Sequence, residues 1–271
     1  TDQDALDEAV VARPLDRLAR VRPENVFPTK LNRAAHYTKP RLSGRMLTEG
    51  WFDQQLIYRI PRGLQTGGVR LYGRLAFFDH FRPLMARVQS ELEAAVAADA
   101  MARAETRTAL LPRTNRPRVY IVAGACGGTG GGMFLDMAYA VKARLRRMGY
   151  ESPEVVGVLI VPEVQPGKTP PQALANAHAT LTELNHYARP DTTFTAHYDD
   201  RGGVVEDRGP PFTVCYVAQA HAAGLKLPPP TQTALPTHTP PLITNDPRGR
   251  GGAVPDAQQV RRVNPNLDAL L

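Results

Sequence analysis

A dense run of glycine is the feature that most constrains how this chain can fold. Six of the nine residues from 124 to 132 are glycine, and they follow directly on a β-branched segment at residues 119–123. Glycine loses more conformational freedom on folding than any other residue. A cluster as dense as this one therefore needs a specific backbone role. A buried strand that ends in glycines at the start of a helix can hold a phosphate group. The run therefore predicts a phosphate-binding loop.

The predicted contacts are backbone amides and one hydroxyl of this loop. They belong to Gly127, Gly128, Thr129, Gly130, Gly131 and Gly132. Glycine-rich turns between a strand and a helix also occur where backbones pack tightly against each other, and this alternative stays open from the sequence.

The loop differs from two well-known nucleotide motifs. No Lys-Ser/Thr pair follows the last glycine, as a Walker A loop requires, and the G-x-G-x-x-G spacing of dinucleotide folds is not met. Glu163 follows the next apolar segment, and an acidic residue at that position can bind a ribose. An NAD(P)-binding oxidoreductase domain therefore stays as an alternative.

Apolar periodicity around the loop predicts an α/β fold with a parallel sheet. Residues 133–148 repeat apolar side chains at helical spacing, and residues 155–161 form a second β-branched run. A strand, a helix and a strand in this order form a βαβ unit, whose strands are parallel with a right-handed crossover. We predict a third strand at residues 212–217 and helices on both faces of the sheet.

Further elements are predicted on either side of this unit. Residues 52–60 are predicted to form a strand. Residues 75–96 carry apolar side chains at three- and four-residue steps, which predicts one long helix that Pro83 kinks or begins. Another helix is predicted at residues 174–187.

Proline crowds the last part of the chain. From Pro228 onward prolines are interleaved with Thr, Arg and Gly, and no apolar period remains. Such a composition cannot bury a core, so residues 226–271 are predicted to be a disordered tail. The remainder divides into an N-terminal segment of unassigned structure, residues 1–60, and a nucleotide-binding domain, residues 61–225.

Charge and cysteine content limit which partners and which cellular compartment are expected. The chain has 33 Lys and Arg against 26 Asp and Glu, and its net charge of +7 favours polyanions such as nucleotides. Aromatic and basic residues are not interleaved, so a nucleic-acid partner is not expected. The two cysteines show no disulfide or metal pattern, which indicates the cytoplasm and no metal site. No apolar run is long enough to cross a bilayer.

Residues 126–132, Cys-Gly-Gly-Thr-Gly-Gly-Gly, resemble the signature G-G-G-T-G-[ST]-G of the tubulin/FtsZ superfamily. Two positions depart from this signature, because Cys126 replaces its first glycine and Gly131 replaces its Ser or Thr. The resemblance extends over residues 60 to 225 and is greatest to the divergent bacterial tubulin-like proteins.

Other segments follow in the order found in that family. Gly67, Gly68 and Arg74 lie in a stretch similar to its second phosphate loop. Residues 158–162 resemble its next strand and the loop near the ribose. The helix that contains Asn176 resembles the helix that comes after that loop.

The resemblance implies an incomplete tubulin-type GTP-binding domain that binds GTP or GDP, with Mg²⁺ assisting. It implies nucleotide contacts from Gly67, Gly68, Arg74 and Asn176, and a ribose contact from Glu163. It also implies self-assembly into homo-oligomers or filaments, with a weak GTPase site shared between subunits.

Three parts of the family pattern are not found in this sequence. They are the first strand, the central helix and the acidic loop that completes hydrolysis. We therefore expect a fragment and leave GTP hydrolysis open. A non-catalytic tubulin-fold scaffold that has lost nucleotide binding is the second alternative.

Overall fold

The computed structural model describes residues 25–41, 46–61, 65–108, 116–199 and 203–220. The chain divides into two compact units, residues 1–222 and 223–271, and everything below concerns the first. The predicted tail lies outside the described residues, as do the first 24 residues of the predicted N-terminal segment.

The described residues form seven helices and five strands. The helices are α1 (Ala34–Tyr37), α2 (Gln54–Ile57), α3 (Arg70–Asp79), α4 (Phe81–Val96), α5 (Ala98–Thr108), α6 (Gly128–Arg147) and α7 (Pro171–Tyr187). The strands are β1 (Arg118–Gly124), β2 (Glu154–Pro162), β3 (Thr193–His197), β4 (Val204–Arg208) and β5 (Val214–Ala220).

A three-stranded parallel sheet in the order β1-β2-β5 forms the centre of the unit. Strand β1 pairs with β2 from Arg118 opposite Glu154 to Gly124 opposite Ile160. Strand β2 pairs with β5, with Val156 opposite Val214 at one end. The predicted α/β class and the parallel βαβ unit are confirmed, because β1, the glycine run and α6 lead directly into β2.

Both helical connections lie on one face of this sheet. Right-handed crossovers that advance in the same direction across a sheet place their helices on the same side. Val119 and Ile121 of β1 pack into the apolar core on that side. On the opposite face Tyr120, Val122 and Tyr216 are 57%, 63% and 58% exposed. The expectation of helices on both faces is therefore not met within the described residues.

Helices α3 and α6 pack with their backbones in close contact. A Cβ atom on Gly73 would lie 2.1 Å from the carbonyl oxygen of Gly128, and one on Gly132 would lie 2.2 Å from that of Arg70. Only residues without a side chain fit such a contact. The core continues beside it through aromatic residues of α3, among them Phe77 and Phe78.

Two predicted elements before the sheet need correction. Residues 52–60 form α2 and its flanking turns instead of a strand, because the Asp53 carboxylate accepts a hydrogen bond from the Gln55 amide at 2.9 Å and caps the helix. The long helix predicted from residue 75 begins earlier, at Arg70, and is divided into α3 and α4 at His80. Pro83 lies in the first turn of α4, which is one of the two places predicted for it.

An antiparallel hairpin of β3 and β4, absent from the sequence-based prediction, packs beside α6. Phe194 and Val205 face the core while their neighbours are exposed. Asp207 anchors the hairpin, because its carboxylate lies 2.7 Å from Lys142 Nζ and 2.8 Å from Arg146 Nη1. Burial raises the pKa of Asp207, but the two cations outweigh burial and hold this pKa below its ordinary value.

Substitution at the α3–α6 contact should destabilise the protein strongly. We expect Gly73→Ala to lower the free energy of unfolding by about 2 to 3 kcal/mol, because the new methyl group overlaps the Gly128 carbonyl oxygen. Gly124→Ala is the matched control, since a Cβ there would meet nothing within 4 Å. Urea unfolding of both variants measures the effect, and equal stabilities would contradict the packing argument.

Candidate functional site

The first half of the candidate site is the start of α6. Strand β1 ends at Gly124, and Gly127 is the N-cap residue of α6. Because glycine has no side chain, no side-chain hydrogen bond from this residue caps the helix. The amides of the first helical turn have no partner within a helix, and together they carry a partial positive charge. In α6, the first amide with a hydrogen bond along the helix is that of Gly131, which donates to the Gly127 carbonyl oxygen at 3.3 Å. The preceding amides are suited to an anion.

The second half is the turn that precedes α3. Gly67 and Gly68 have φ values of +58° and +75°, a conformation that glycine adopts without strain. Next to them, the Thr66 hydroxyl oxygen lies 3.4 Å from that of Thr129. The structure therefore brings together the two glycine loops, which are about 60 residues apart in the sequence, as the resemblance implies.

Most glycines of the run also have a packing role. A Cβ on Gly128 would lie 2.4 Å from the Thr66 hydroxyl oxygen, and one on Gly130 would lie 2.5 Å from the Gly124 carbonyl oxygen. Gly131 and Gly132 are enclosed in the same way. Gly127 differs, because a Cβ atom there would meet nothing within 4 Å. Tight packing thus accounts for much of the glycine density without excluding anion binding.

Asn176 joins the two loops from one face of α7. Its Nδ2 atom donates to the Gly68 carbonyl oxygen at 2.7 Å and to the Cys126 carbonyl oxygen at 2.9 Å. One turn later the buried Thr180 hydroxyl donates to the Ala125 carbonyl oxygen at 2.9 Å. Asn176 therefore lies at the predicted site, where its observed bonds are made to loop backbone.

The two arginines of α3 have different surroundings. Arg70 donates from Nε and Nη2 to the Gly131 carbonyl oxygen at 3.1 and 2.9 Å, and it forms an ion pair with Glu183. Arg74, the residue predicted from the sequence, instead donates from Nε to Asp136 at 3.1 Å. Its guanidinium group also stacks over Trp51, 5.0 Å from the ring centroid.

A buried polar cluster surrounds the Arg74 contact. The Tyr198 hydroxyl donates to the other carboxylate oxygen of Asp136 at 2.7 Å. Burial raises the pKa of Asp136 above its ordinary value, although Arg74 and the Tyr198 hydroxyl act in the opposite direction. The contacts of the Arg74 side chain are thus made with α6 and the aromatic core, and its predicted phosphate role stays a prediction.

Glu163 lies at the same edge of the sheet as the glycine run. Gly124 pairs with Ile160, and the Ala125 amide donates to the Ile160 carbonyl oxygen at 2.8 Å, so β1 and β2 end side by side. Glu163 follows the end of β2 directly, and its backbone oxygen accepts a hydrogen bond from Thr169. Its predicted contact with a ribose stays a prediction.

Three residues of the site were not found from the sequence: Thr66, Arg70 and Thr180. A threonine beside glycines and an arginine at a helix start carry no distinctive signal alone. Thr180 does have one in retrospect, because it follows Asn176 by one helical turn and so lies on the same face of α7.

Two cavities lie close to Arg74. One has a volume of about 560 Å³ and is lined in part by Trp51, Arg74 and Tyr198. The other has about 220 Å³ and is lined in part by Arg70, Gly132 and Asp136. Residues 127–131 do not line either of these two cavities.

Two further searches cover only the residues whose placement is described. Among them, no three His, Cys, Asp or Glu side chains come together as metal ligands. No helix in that part of the chain combines the length and apolar character needed to cross a membrane.

Comparison with known protein families identifies the family to which the chain belongs. A family model described as "Tubulin like" matches residues 17–227, which is more than half of the chain and includes both glycine loops and the whole parallel sheet. No curated protein and no solved structure matches the chain significantly.

Removal of the Arg74 side chain should destabilise the fold. Arg74→Ala leaves the buried Asp136 carboxylate without its cation, and we expect a loss of about 2 to 4 kcal/mol in unfolding free energy. Arg103→Ala is the control, because Arg103 pairs with Asp99 at the surface, where both side chains are exposed, and its loss should change stability little. Chemical denaturation at neutral pH measures the unfolding free energy of both variants. If Arg74→Ala lowers it as little as the control does, this role for Arg74 is contradicted.

Proposed function

This chain belongs to the tubulin-like family, and on that premise we propose that it binds GTP or GDP with the phosphates at the start of α6. The observation that supports the proposal most is the uncapped N-terminus of α6 beside the Thr66–Gly68 turn. A helix N-terminus with free amides is a favourable place for phosphate, and a second glycine turn beside it allows two phosphates to be held at once.

Each predicted residue has a specific part in this proposal. The amides of Gly127, Gly128, Thr129 and Gly130 bind phosphate oxygens, and the hydroxyl of Thr129 adds a donor. Gly67 and Gly68 shape the second loop. The remaining assignments are Gly131 and Gly132 as close-packed backbone in the same loop, Asn176 and Arg74 beside the nucleotide, and Glu163 on the ribose.

Mg²⁺ is proposed as a companion of the nucleotide. The ion often keeps several water ligands and is bound largely through substrate phosphates, so it does not need a cage of protein carboxylates. Bound in that way, it would neutralise part of the charge on the terminal phosphates.

A specific observation also favours the scaffold alternative. Gly128, Gly130, Gly131 and Gly132 all have neighbours that a side chain would overlap, so packing alone could retain them. A tubulin-fold scaffold predicts no stabilisation by any nucleotide. The NAD(P)-binding alternative depends on Glu163, and it predicts stabilisation by NAD without stabilisation by GTP.

Thermal unfolding with a panel of nucleotides separates these functions. At a GTP concentration of about 100 Kd, binding to the folded state adds about 2.7 kcal/mol, which raises Tm by about 5 to 10 °C. We expect this shift with GTP and GDP, and no shift with NAD at the same concentration. No shift with any nucleotide would support the scaffold instead.

Gly127→Asp provides a sharp companion variant for that experiment. Position 127 has room for a side chain and extended backbone, with φ −87° and ψ 161°, and aspartate is a favourable N-cap residue there. The new carboxylate would occupy the amides and repel phosphate, so Tm without ligand should stay the same or rise while the GTP shift is lost. Gly127→Ala, which adds no charge, is the control.

Self-assembly is the second part of the proposal. The resemblance implies filaments or homo-oligomers whose GTPase site is completed by a neighbouring subunit. We expect sedimentation velocity to detect larger species with GTP and Mg²⁺ than with GDP, and phosphate release to rise more steeply than linearly with protein concentration. Assembly that is identical with both nucleotides would contradict a nucleotide-dependent mechanism.

A further inference from the structure

A stripe of polar side chains runs along α7 beside both glycine loops. It consists of Gln172, Asn176, Thr180 and Glu183, spaced by four, four and three residues, so all lie on one face of the helix. Each of them contacts one of the two loops directly or through Arg70. We call this set the α7 stripe.

The stripe binds carbonyl oxygens of both loops. Gln172 donates to the Gly67 carbonyl oxygen at 3.4 Å. Asn176 and Thr180 donate to the carbonyl oxygens of Gly68, Cys126 and Ala125 at 2.7 to 2.9 Å. At the last position, Glu183 pairs with Arg70, whose guanidinium donates to the Gly131 carbonyl oxygen.

This arrangement determines where the loop amides point. In a trans peptide the C=O and the following N–H lie on opposite sides, and the described residues contain no cis peptide. With the Ala125 and Cys126 carbonyl groups held toward α7, the amides of Cys126 and Gly127 point away from it. Without that restraint, the peptide plane between Cys126 and Gly127 would rotate more freely, because Gly127 has no side chain to limit its backbone.

We infer that the α7 stripe consists of positioning residues that hold both loops in the orientation that binds phosphate. This inference rests on the proposed nucleotide site. The helix already has apolar contacts with the core through Leu181, Leu184 and Tyr187, so docking of α7 does not depend on the stripe. In this role the stripe acts on the ligand through the loop backbone that it holds.

Thr180 allows the most specific test, because it has matched substitutes. Thr180→Val keeps the side-chain volume and removes the hydroxyl, whereas Thr180→Ser keeps the hydroxyl. In the full chain we expect Thr180→Val to weaken binding of a fluorescent GTP analogue about five- to tenfold and Thr180→Ser to restore it to near the wild-type value. Hydrogen exchange of residues 125–131 gives a second readout, since GTP should protect them in the wild type and the Ser variant but less in the Val variant.

Asn176→Ala extends the test to the bond shared by the two loops. This substitution removes the two hydrogen bonds that the Asn176 side chain donates to the loops, so we expect the affinity for the GTP analogue to fall about 10- to 100-fold. Asn185→Ala is the control, an exposed asparagine on the same helix. Near-UV circular dichroism identifies a variant that has lost its fold, and the Thr180 pair then decides the outcome.

The possible results distinguish the inference from the function on which it rests. If the wild-type protein binds GTP and the Val, Ser and Ala variants bind it equally well, the positioning role is overturned and the nucleotide site stands. If Thr180→Ser is as weak as Thr180→Val, the methyl group and not the hydroxyl matters, and the role is also overturned. If the wild-type protein does not bind GTP, both proposals fail.

Discussion

The contact between α3 and α6 is the interaction on which the rest of the structure depends. Packed helices usually stand 8 to 10 Å apart because side chains separate them. Glycines at positions 73 and 132 bring backbone against backbone instead. The Thr66–Gly68 turn directly precedes α3, so the same contact carries that turn to the start of α6. The close contact between α3 and α6 is therefore the common cause of the helix packing and of the position of the Thr66–Gly68 turn beside the amides at the start of α6.

Two buried acidic residues show how charge supports this arrangement at different places. Asp136, within α6, is held by Arg74 and Tyr198 and links that helix to the aromatic core around α3. Asp207, on the hairpin, is held by Lys142 and Arg146 near the other end of α6. Helix α6 is therefore fixed by ion pairs along its length, while its first turn is left free of capping side chains.

The sequence was most informative where the pattern was local and regular. The β-branched segments around the glycine run predicted β1 and β2, and the long helical connection between them indicated a parallel pair. The hairpin was missed because its strands alternate buried and exposed residues over only five positions each. Residues 52–60 were assigned to a strand because the cap at Asp53 was overlooked.

Within the site, residue types were easier to predict than side-chain directions. The structure brings both glycine loops and Asn176 together, because backbone and spacing carry that signal, and their contacts with a nucleotide stay predictions. Arg74 was chosen over Arg70, although the Arg70 side chain donates to the glycine loop and the Arg74 side chain donates to Asp136. The two are four residues apart on α3, and the choice between them depends on what each meets in the folded protein. That information is tertiary and is not contained in helical periodicity.

The exposed face of the sheet has a consequence for any study of how this protein associates. Tyr120, Val122 and Tyr216 form an apolar surface on parallel strands, which in most α/β proteins are covered on both sides. An exposed apolar surface is a place where other apolar surfaces can associate, whatever occupies the glycine loops. A turbidity or pelleting test of the proposed assembly therefore has to be separated from association through this face. Association through the sheet is weakened on cooling, whereas the filament growth proposed above would follow the phosphate state of the nucleotide.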